Sequence, residues 1–470
     1  MKKIKFYIST LLVGMLGLSA CDSDDLVVED RDLLSIEVFT NGFGSENATT
    51  RAADNEIEFK TTLVANDRIG IYVIKDGNVI SKNIPCKYDG SQWIAEGEVL
   101  LIGSASYFAY YPYRAEMSSK TITNVNDIVS NFDVASDQST YTLYTANDLM
   151  TGTASLNAET KTLTFTLNHA LSLVVIDLKG EKITYTGGYT VYEAVNAVAK
   201  KQIGNVTSPY QTSDGAYRAL VKAGNITPDI SYTAGGKTIT YNSAITAVAG
   251  KYSKRTIYAG DKPGTQSISV GDYFYSDGFI SSANNVPGKT CIGIVYKLGA
   301  GAGDDIGKYA GSRLTAIHGY VVALSKSSSR YLFYGEYGRV ATGHVAYNNI
   351  STEYRGYYDT WQIINSAPIN GLSNLTAENR SAVFHTINYA PSAPAISSGW
   401  YLPSVQQLLD VKDNSSVSSK LVEDTFFGEI WTSGTRSEGN YAVWCTNHWQ
   451  NIDSTNDDFW TCHVLPFLTF

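Results

Sequence analysis

Cysteine is scarce in this chain: five in 470 residues, at 21, 86, 291, 445 and 462. A disulfide framework is therefore not what holds the fold. Cys445 and Cys462 could pair if their strands are neighbours, which the sequence leaves open. After residue 20 no stretch approaches the roughly 18 consecutive apolar residues of a membrane-spanning helix. Lys and Arg nowhere cluster and the formal net charge is −9, so nucleic acid is not expected as a partner. The six histidines are scattered, none in an H-E-x-x-H spacing, and neither a metal nor a cofactor is expected. Asp453, Asn456, Asp457 and Asp458 offer hard oxygens of the kind calcium takes, but they do not match an EF-hand loop and read better as an exposed polar loop. GAGAGDD at 299–305 lacks the Lys-Ser/Thr of a phosphate loop, which makes a flexible surface loop the better reading. Cys291 and His318 could be imagined as nucleophile and base, yet nothing orders them. With no catalytic constellation, the chain does not read as an enzyme.

What is present is tyrosine, 33 residues of it, and 40 glycines, with abundant Ser, Thr and Asn. Tyr and Thr favour strands while Gly and Asn supply turns, so the expectation is a mainly β extracellular protein. The N-terminus reads as an export signal. Lys2, Lys3 and Lys5 form a basic region, and residues 7–18 an apolar one too short to span a bilayer. LSAC at 18–21 resembles a bacterial lipobox, which implies diacylation of Cys21 and anchoring in the outer membrane. An ordinary signal peptide with an incidental cysteine is the competing reading. Asp22, Asp24 and Asp25 resemble the surface-export signal of Bacteroidota lipoproteins; read physically, they are a solvated tether. About 450 residues remain after the signal, enough for two to four domains.

Along the mature chain, LLSIEVFT at 33–40 is strand-like and residues 41–50 form a Gly/Asn/Thr loop that ends at Arg51 in TTRAA. DRIGIYV at 67–73 leads into KDGN at 75–78, a hairpin signal. YFAYYPY at 107–113 reads as core and sheet packing. NDLM at 147–150 precedes a polar turn, and LTFTL at 163–167 alternates as a half-buried strand does. His169 reads as a buried, hydrogen-bonded histidine. A second β lobe runs to about residue 262. From about 264 the segments lengthen and Trp becomes frequent. One helix is predicted over 405–411, with Ser404 as its N-cap and Val405, Leu408 and Leu409 on one face.

DRIGIYV, YFAYYPY, NDLM and LTFTLNHALSLVVI, in that order and behind a lipobox, resemble the fimbrillin superfamily, the Mfa-like pilus subunits of Bacteroidota, over residues 34–262. The resemblance implies two successive β-sandwiches of transthyretin-like topology. In the C-terminal part come GDYFYSDG at 271–278, IGIVY at 292–296 and HGYVVAL at 318–324. Two later strings there, GWYLPS at 399–404 and WTSGT at 431–435, resemble the GWRLPT and WSST strings of C-type-lectin-like and sulfatase-modifying-factor-like domains, over about 265–470. The expected organisation is a lipoprotein signal peptide at 1–20, a lipidated tether with a removable first strand at 21–51, a first sandwich at 52–176, a second at 177–262, and a mixed α+β, lectin-like adhesive domain at 263–470.

Resemblance to fimbrillins also implies a maturation route. An arginine-specific protease would cut after Arg51 and remove the first strand with its inward residues Leu34, Ile36 and Val38. A strand from another subunit would then fill the groove by β-augmentation. A stalk subunit donates such a strand in turn, usually from its C-terminus. Here Pro466 interrupts the last residues, CHVLPFLTF at 462–470, and cannot donate to a ladder. They read as the closing strand of their own domain, which makes the chain a tip subunit. Trp444, His448, Trp449 and Trp460, with Asp457 and Asp458, form the candidate ligand site, because aromatic faces stack on sugar rings and carboxylates fix orientation; a core role for these tryptophans is the alternative. The partners expected are other pilus subunits, the outer membrane through the lipid anchor, and a host or bacterial surface glycan or protein. The rival class is a surface glycan- or ligand-binding lipoprotein that never polymerises.

Overall fold

The structure, a computed structural model, describes residues 33–45, 59, 61–331, 353–365, 382–423, 425, 429–437, 440–445, 448–453 and 461–470. Cys21, Arg51, Asn456, Asp457, Asp458 and Trp460 lie outside the described residues. The fold is mainly β, as the composition implies. The chain forms two compact units, one from 1–175, 202–228 and 243–254, the other from 176–201, 229–242 and 255–470.

The first unit begins with β1 (Ser35–Thr40) and β2 (Gly44–Ser45). It continues through β3 (Arg68–Lys75), β4 (Asn78–Tyr88), β5 (Trp93–Ala95), β6 (Ser106–Tyr111), β7 (Met150–Asn157) and β8 (Thr162–His169). A seven-stranded sheet orders them β1-β8-β7-β6-β3-β4-β5. The KDGN string is the β3–β4 hairpin, and Asp76 and Gly77 take φ of 49° and 75°. Those are the left-handed values that a two-residue turn needs to match strand twist.

Side chains alternate across this sheet, and at β3 and β6 both faces are buried. Ile69, Ile71 and Val73 of β3 join one apolar cluster with Leu34, Ile36, Leu163 and Phe165. Tyr72 and Tyr110 point into a second cluster with Phe43, Phe132, Leu173 and Tyr252. Burial of β3 on both faces is why DRIGIYV reads as a near-continuous apolar run, while LTFTL in β8, exposed on one face, alternates. The tyrosines of YFAYYPY that lie in β6, at 107, 110 and 111, are buried, and Tyr110 donates its hydroxyl to Asn83 Oδ1 at 2.8 Å. The whole NDLM string is buried too; Asn147 Oδ1 accepts from Ala135 N–H at 2.8 Å.

β9 (Ser172–Lys179) lies in a five-stranded sheet between Tyr217–Val221 and Lys251–Tyr258, and β2 pairs with the far edge of that last strand.

The second unit contains an antiparallel sheet in the order Ile280–Ser281, Tyr273–Tyr275, Cys291–Leu298, Gly319–Ala323, Phe467–Thr469. Helices Gly356–Asn365, Ala382–Ile387 and Val405–Asp413 accompany it, so this unit mixes α and β. The helix predicted from 405 is present: Ser404 Oγ accepts from Gln407 N–H, and the Gln407 side chain returns a bond to Ser404 N–H, a complete capping box. Val405 and Leu408 are buried, while Leu409 packs at the margin of the core.

The 299–305 string departs from the expectation of a flexible loop. Gly301 N–H donates to Tyr320 Oη at 2.8 Å, and Asp304 Oδ2 accepts from Tyr309 and Tyr320 at 2.6 and 2.7 Å. A Cβ on Gly301 would sit 2.1 Å from the Tyr354 ring. The glycine is there for close approach, and the loop is tied into the core.

Candidate functional site

The segment expected to be removable is β1, and the structure places it at a sheet edge. β1 pairs in parallel with β8, from Ser35 opposite Thr162 to Thr40 opposite Leu167. Its other edge pairs with no strand among the described residues. Leu34 and Ile36 are buried, Val38 is half-buried against the same cluster, and Phe39 is 59 % exposed. The inward set Leu34, Ile36 and Val38 is thus the one the alternation names. Full burial of an aliphatic side chain contributes about 1.5–3 kcal/mol, so Leu34 and Ile36, with the half-buried Val38 adding less, hold the edge strand to the core.

Further bonds extend the attachment past both ends of the ladder. Leu34 N–H donates to Val99 O at 2.9 Å and Ser35 N–H to Lys161 O at 2.8 Å. At the other end Asn41 N–H donates to Leu167 O at 3.0 Å, and the Asn41 amide reaches Asn168 Oδ1 at 2.8 Å. Thr40 Oγ1 donates to Thr61 O at 2.8 Å, and Thr164 Oγ1 to Glu37 Oε2 at 3.1 Å. Beside β1 runs an open groove of about 630 Å³, walled on its far side by Leu63, Tyr88 and Trp93. If this segment left, a row of carbonyls and amides on β8 and at Val99 and Lys161 would lose its partners, which is costly unless another strand replaces it.

Sequence reasoning missed one anchor. Residues 41–50 read as a polar loop, yet Phe43 inside it is 4 % exposed and belongs to the second core cluster. The signal was available: a lone aromatic between Gly42 and Gly44 has no reason to face solvent. Phe43 stacks on His169, ring centroids 3.6 Å apart and planes 15° from parallel. His169 is the buried, hydrogen-bonded histidine it was read to be, with Nδ1 2.8 Å from Asp148 Oδ1. Beyond Phe43, Gly44 N–H donates to Gly250 O at 2.9 Å, and β2 pairs in parallel with Lys251 and Tyr252.

The other candidates fare differently. Cys291 Sγ donates to Gly293 O at 3.7 Å, and burial pushes its thiol up, the opposite of what a nucleophile needs. His318 Nδ1 lies 3.0 Å from Gly187 O. Trp444, His448 and Trp449 fall on one antiparallel hairpin, Asn440–Cys445 with His448–Asp453, whose register sets Trp444 opposite Trp449 and Cys445 opposite His448. Their side chains, like that of Cys445, lie outside the described residues; Cys462 is buried.

The tail is enclosed on two sides. Phe467–Thr469 pairs with Gly319–Ala323 along one edge. Along the other, Phe467 exchanges backbone bonds with Tyr401 at 2.8 and 3.0 Å, and Ser398 N–H donates to Thr469 O at 2.9 Å. Thr469 Oγ1 lies 2.9 Å from both Tyr309 Oη and Tyr401 Oη. Every residue from Val464 to Phe470 is buried.

The structure thus lays a parallel edge strand into a β core that is buried on both faces at β3 and β6. Residues 50–272 match the family model described as fimbrillin-like, the resemblance that the sequence strings of this part carry. A Bacteroides ovatus protein that carries the name fimbrium tip subunit Fim1C is 27% identical, over 90% of this chain and 89% of its own length. Among solved structures, a fimbrial protein from Bacteroides ovatus aligns at 21% identity and a TM-score of 0.40, covering 94% of this chain and 100% of that one. A Bacteroides uniformis structure described as a cell adhesion protein aligns at 18% identity and 0.30, covering 50% and 95%.

Proposed function

We propose that this chain is a surface-exposed pilus subunit of the tip, assembled by proteolytic loss of its first strand and capture of a strand from another subunit. It acts by binding, without catalysis. One observation carries the reading: Leu34, Ile36 and Val38 fill a sheet edge through side chains on one face only, and the outer edge of β1 pairs with no strand among the described residues. An edge strand held this way is replaceable by any segment with the same alternation. The name of the Bacteroides ovatus relative supports the tip position, and so does the enclosure of residues 464–470, which are not free to be donated.

In this reading Cys21 carries lipid and holds the precursor at the outer membrane, and Arg51 is the cleavage point. The two β lobes at 52–176 and 177–262 make the pilus body. The module at 263–470 faces outward, and its lectin-like strings and the Trp444, His448 and Trp449 hairpin, with Asp457, Asp458 and Trp460, supply the adhesive surface for a glycan or protein. The decisive experiment is N-terminal sequencing of the mature protein recovered from cells. A start at Ala52 is expected. A mature surface form that retains residues 22–51 sinks the strand-exchange reading and leaves the non-polymerising surface lipoprotein in its place.

A further inference from the structure

We infer that the first-strand groove selects its occupant by an aromatic residue placed five positions beyond the third inward apolar side chain, and that His169 reads it. The inference rests on the strand-exchange reading and adds the chemistry by which partners are told apart.

The resident segment shows what the site accepts. Leu34, Ile36 and Val38 fill an aliphatic trough, and such positions tolerate exchange among Leu, Ile and Val at a cost usually under about 1.5 kcal/mol. The trough therefore discriminates weakly. The Phe43 position is of another kind. Its ring lies flat on the His169 imidazole, and the imidazole is itself fixed. Nδ1 is bonded to Asp148 Oδ1, and the other Asp148 oxygen accepts from Thr61 Oγ1. His169 is 5 % exposed, and its Nε2 has no hydrogen-bond partner among the described residues. A ring held edge-on by a carboxylate, with a buried unpartnered nitrogen, offers only its face to the incoming segment. An aliphatic side chain there leaves space beside a polar ring, and a charged one is desolvated without a partner. An aromatic ring covers the face.

Register makes the rule a sequence rule. β1 is locked to β8 residue by residue. Phe43 N–H donates to Phe59 O at 3.2 Å and Gly44 N–H to Gly250 O at 2.9 Å, so the position of the aromatic along the chain is fixed as well. The partner implied is an extended segment of another subunit, running parallel to β8, with apolar residues at three alternate positions and Phe, Tyr or Trp five residues after the third.

The experiment uses the full chain with a site-specific protease sequence inserted at Arg51. After cutting, synthetic peptides of residues 33–45 compete with the freed segment, and the half-displacing concentration is read for each. The unaltered peptide is expected to displace it. A Phe43→Ala peptide should need at least about tenfold more, and Phe43→Tyr should stay within about threefold. Phe39→Ala, which alters a solvent-facing ring, should change little, and Ile36→Asp should abolish exchange. Equal displacement by the Phe43→Ala and unaltered peptides, with Ile36→Asp still inactive, overturns the aromatic rule while leaving strand exchange in place. Failure of the unaltered peptide, or full activity of Ile36→Asp, overturns strand exchange and the rule with it.

Discussion

The claim that residues 464–470 close their own domain makes a quantitative demand on Phe467. Its side chain is fully buried and meets the Tyr296 ring edge-on, centroids 5.2 Å apart. Phe467→Ala leaves the backbone bonds to Tyr401 in place and removes only the ring. The loss is the transfer energy of the ring plus the cavity left behind, together about 3–5 kcal/mol for a buried Phe. Against a typical domain stability of about 5–15 kcal/mol, that brings the unit close to unfolding. The assay is denaturant unfolding of the full chain followed by tryptophan fluorescence, since Trp400 and Trp431 are buried in the same unit as Phe467. Phe39→Ala in β1 is the control: its ring is exposed, and the expected change is within about 0.5 kcal/mol. A cost below about 1 kcal/mol for Phe467→Ala would refute the reasoning. The tail would then be loosely held, and nothing structural would prevent its release as a donor strand.

Three further outcomes are expected. Gly70→Ala should destabilise the first unit by more than about 2 kcal/mol, because the new Cβ would lie 2.3 Å from the Tyr110 ring and 2.5 Å from Asn83 Oδ1; thermal unfolding reads it. Ser404→Ala should cost about 1 kcal/mol in the second unit through loss of the cap on Gln407 N–H, measured by the same unfolding assay. Burial pushes the Asp359 carboxyl up to about 6, against an opposing pull from Arg355. The folded state thus holds a proton that the unfolded state has released between about pH 4 and 6, so stability from this group falls as pH rises through that window. Asp359→Asn should gain on the wild type by on the order of 2–3 kcal/mol between pH 4 and pH 7, and a pH-independent difference in unfolding free energy would count against the assignment.

Much of the first unit was legible because its signals are local. The Asp76-Gly77 turn is set by two residues, and the alternation in LTFTL by a single strand with one buried face. The inward set of β1 follows from the same period of two. Parallel pairing of β1 with β8 was not legible, since partners more than 120 residues apart leave no local mark. Phe43 was lost because glycine and asparagine dominated the reading of its loop, although the ring belongs to a core assembled from distant strands. The 299–305 string failed for the opposite reason. Its glycines were read as flexibility, whereas Gly301 makes room for Tyr354, a residue 53 positions away whose approach only the fold reveals. Ser404 succeeded because a cap and its helix are neighbours.

The proposed tip position turns on a contrast between two strands of one chain. Among the described residues β1 is laddered along one edge only, with isolated bonds to Val99 and Thr61 at its ends, and its outward side chains Ser35, Glu37 and Phe39 face solvent. Removing it forfeits one ladder and three to four apolar anchors, and an incoming segment with the same pattern restores all of them. Phe467–Thr469 is bonded along both edges, and its three side chains are all buried. Releasing it would strand the partners of Tyr401, Ser398 and the Gly319–Ala323 strand at once. It would also leave the Tyr309 and Tyr401 hydroxyls short of Thr469 Oγ1. A buried polar group left unpaired costs about 1–3 kcal/mol, and several would be exposed together with a run of fully buried apolar side chains. The proposed exchange asks far less of the first strand than release would ask of the last. On the proposed strand-exchange reading, a subunit with that asymmetry accepts a strand at β1 and does not donate residues 464–470.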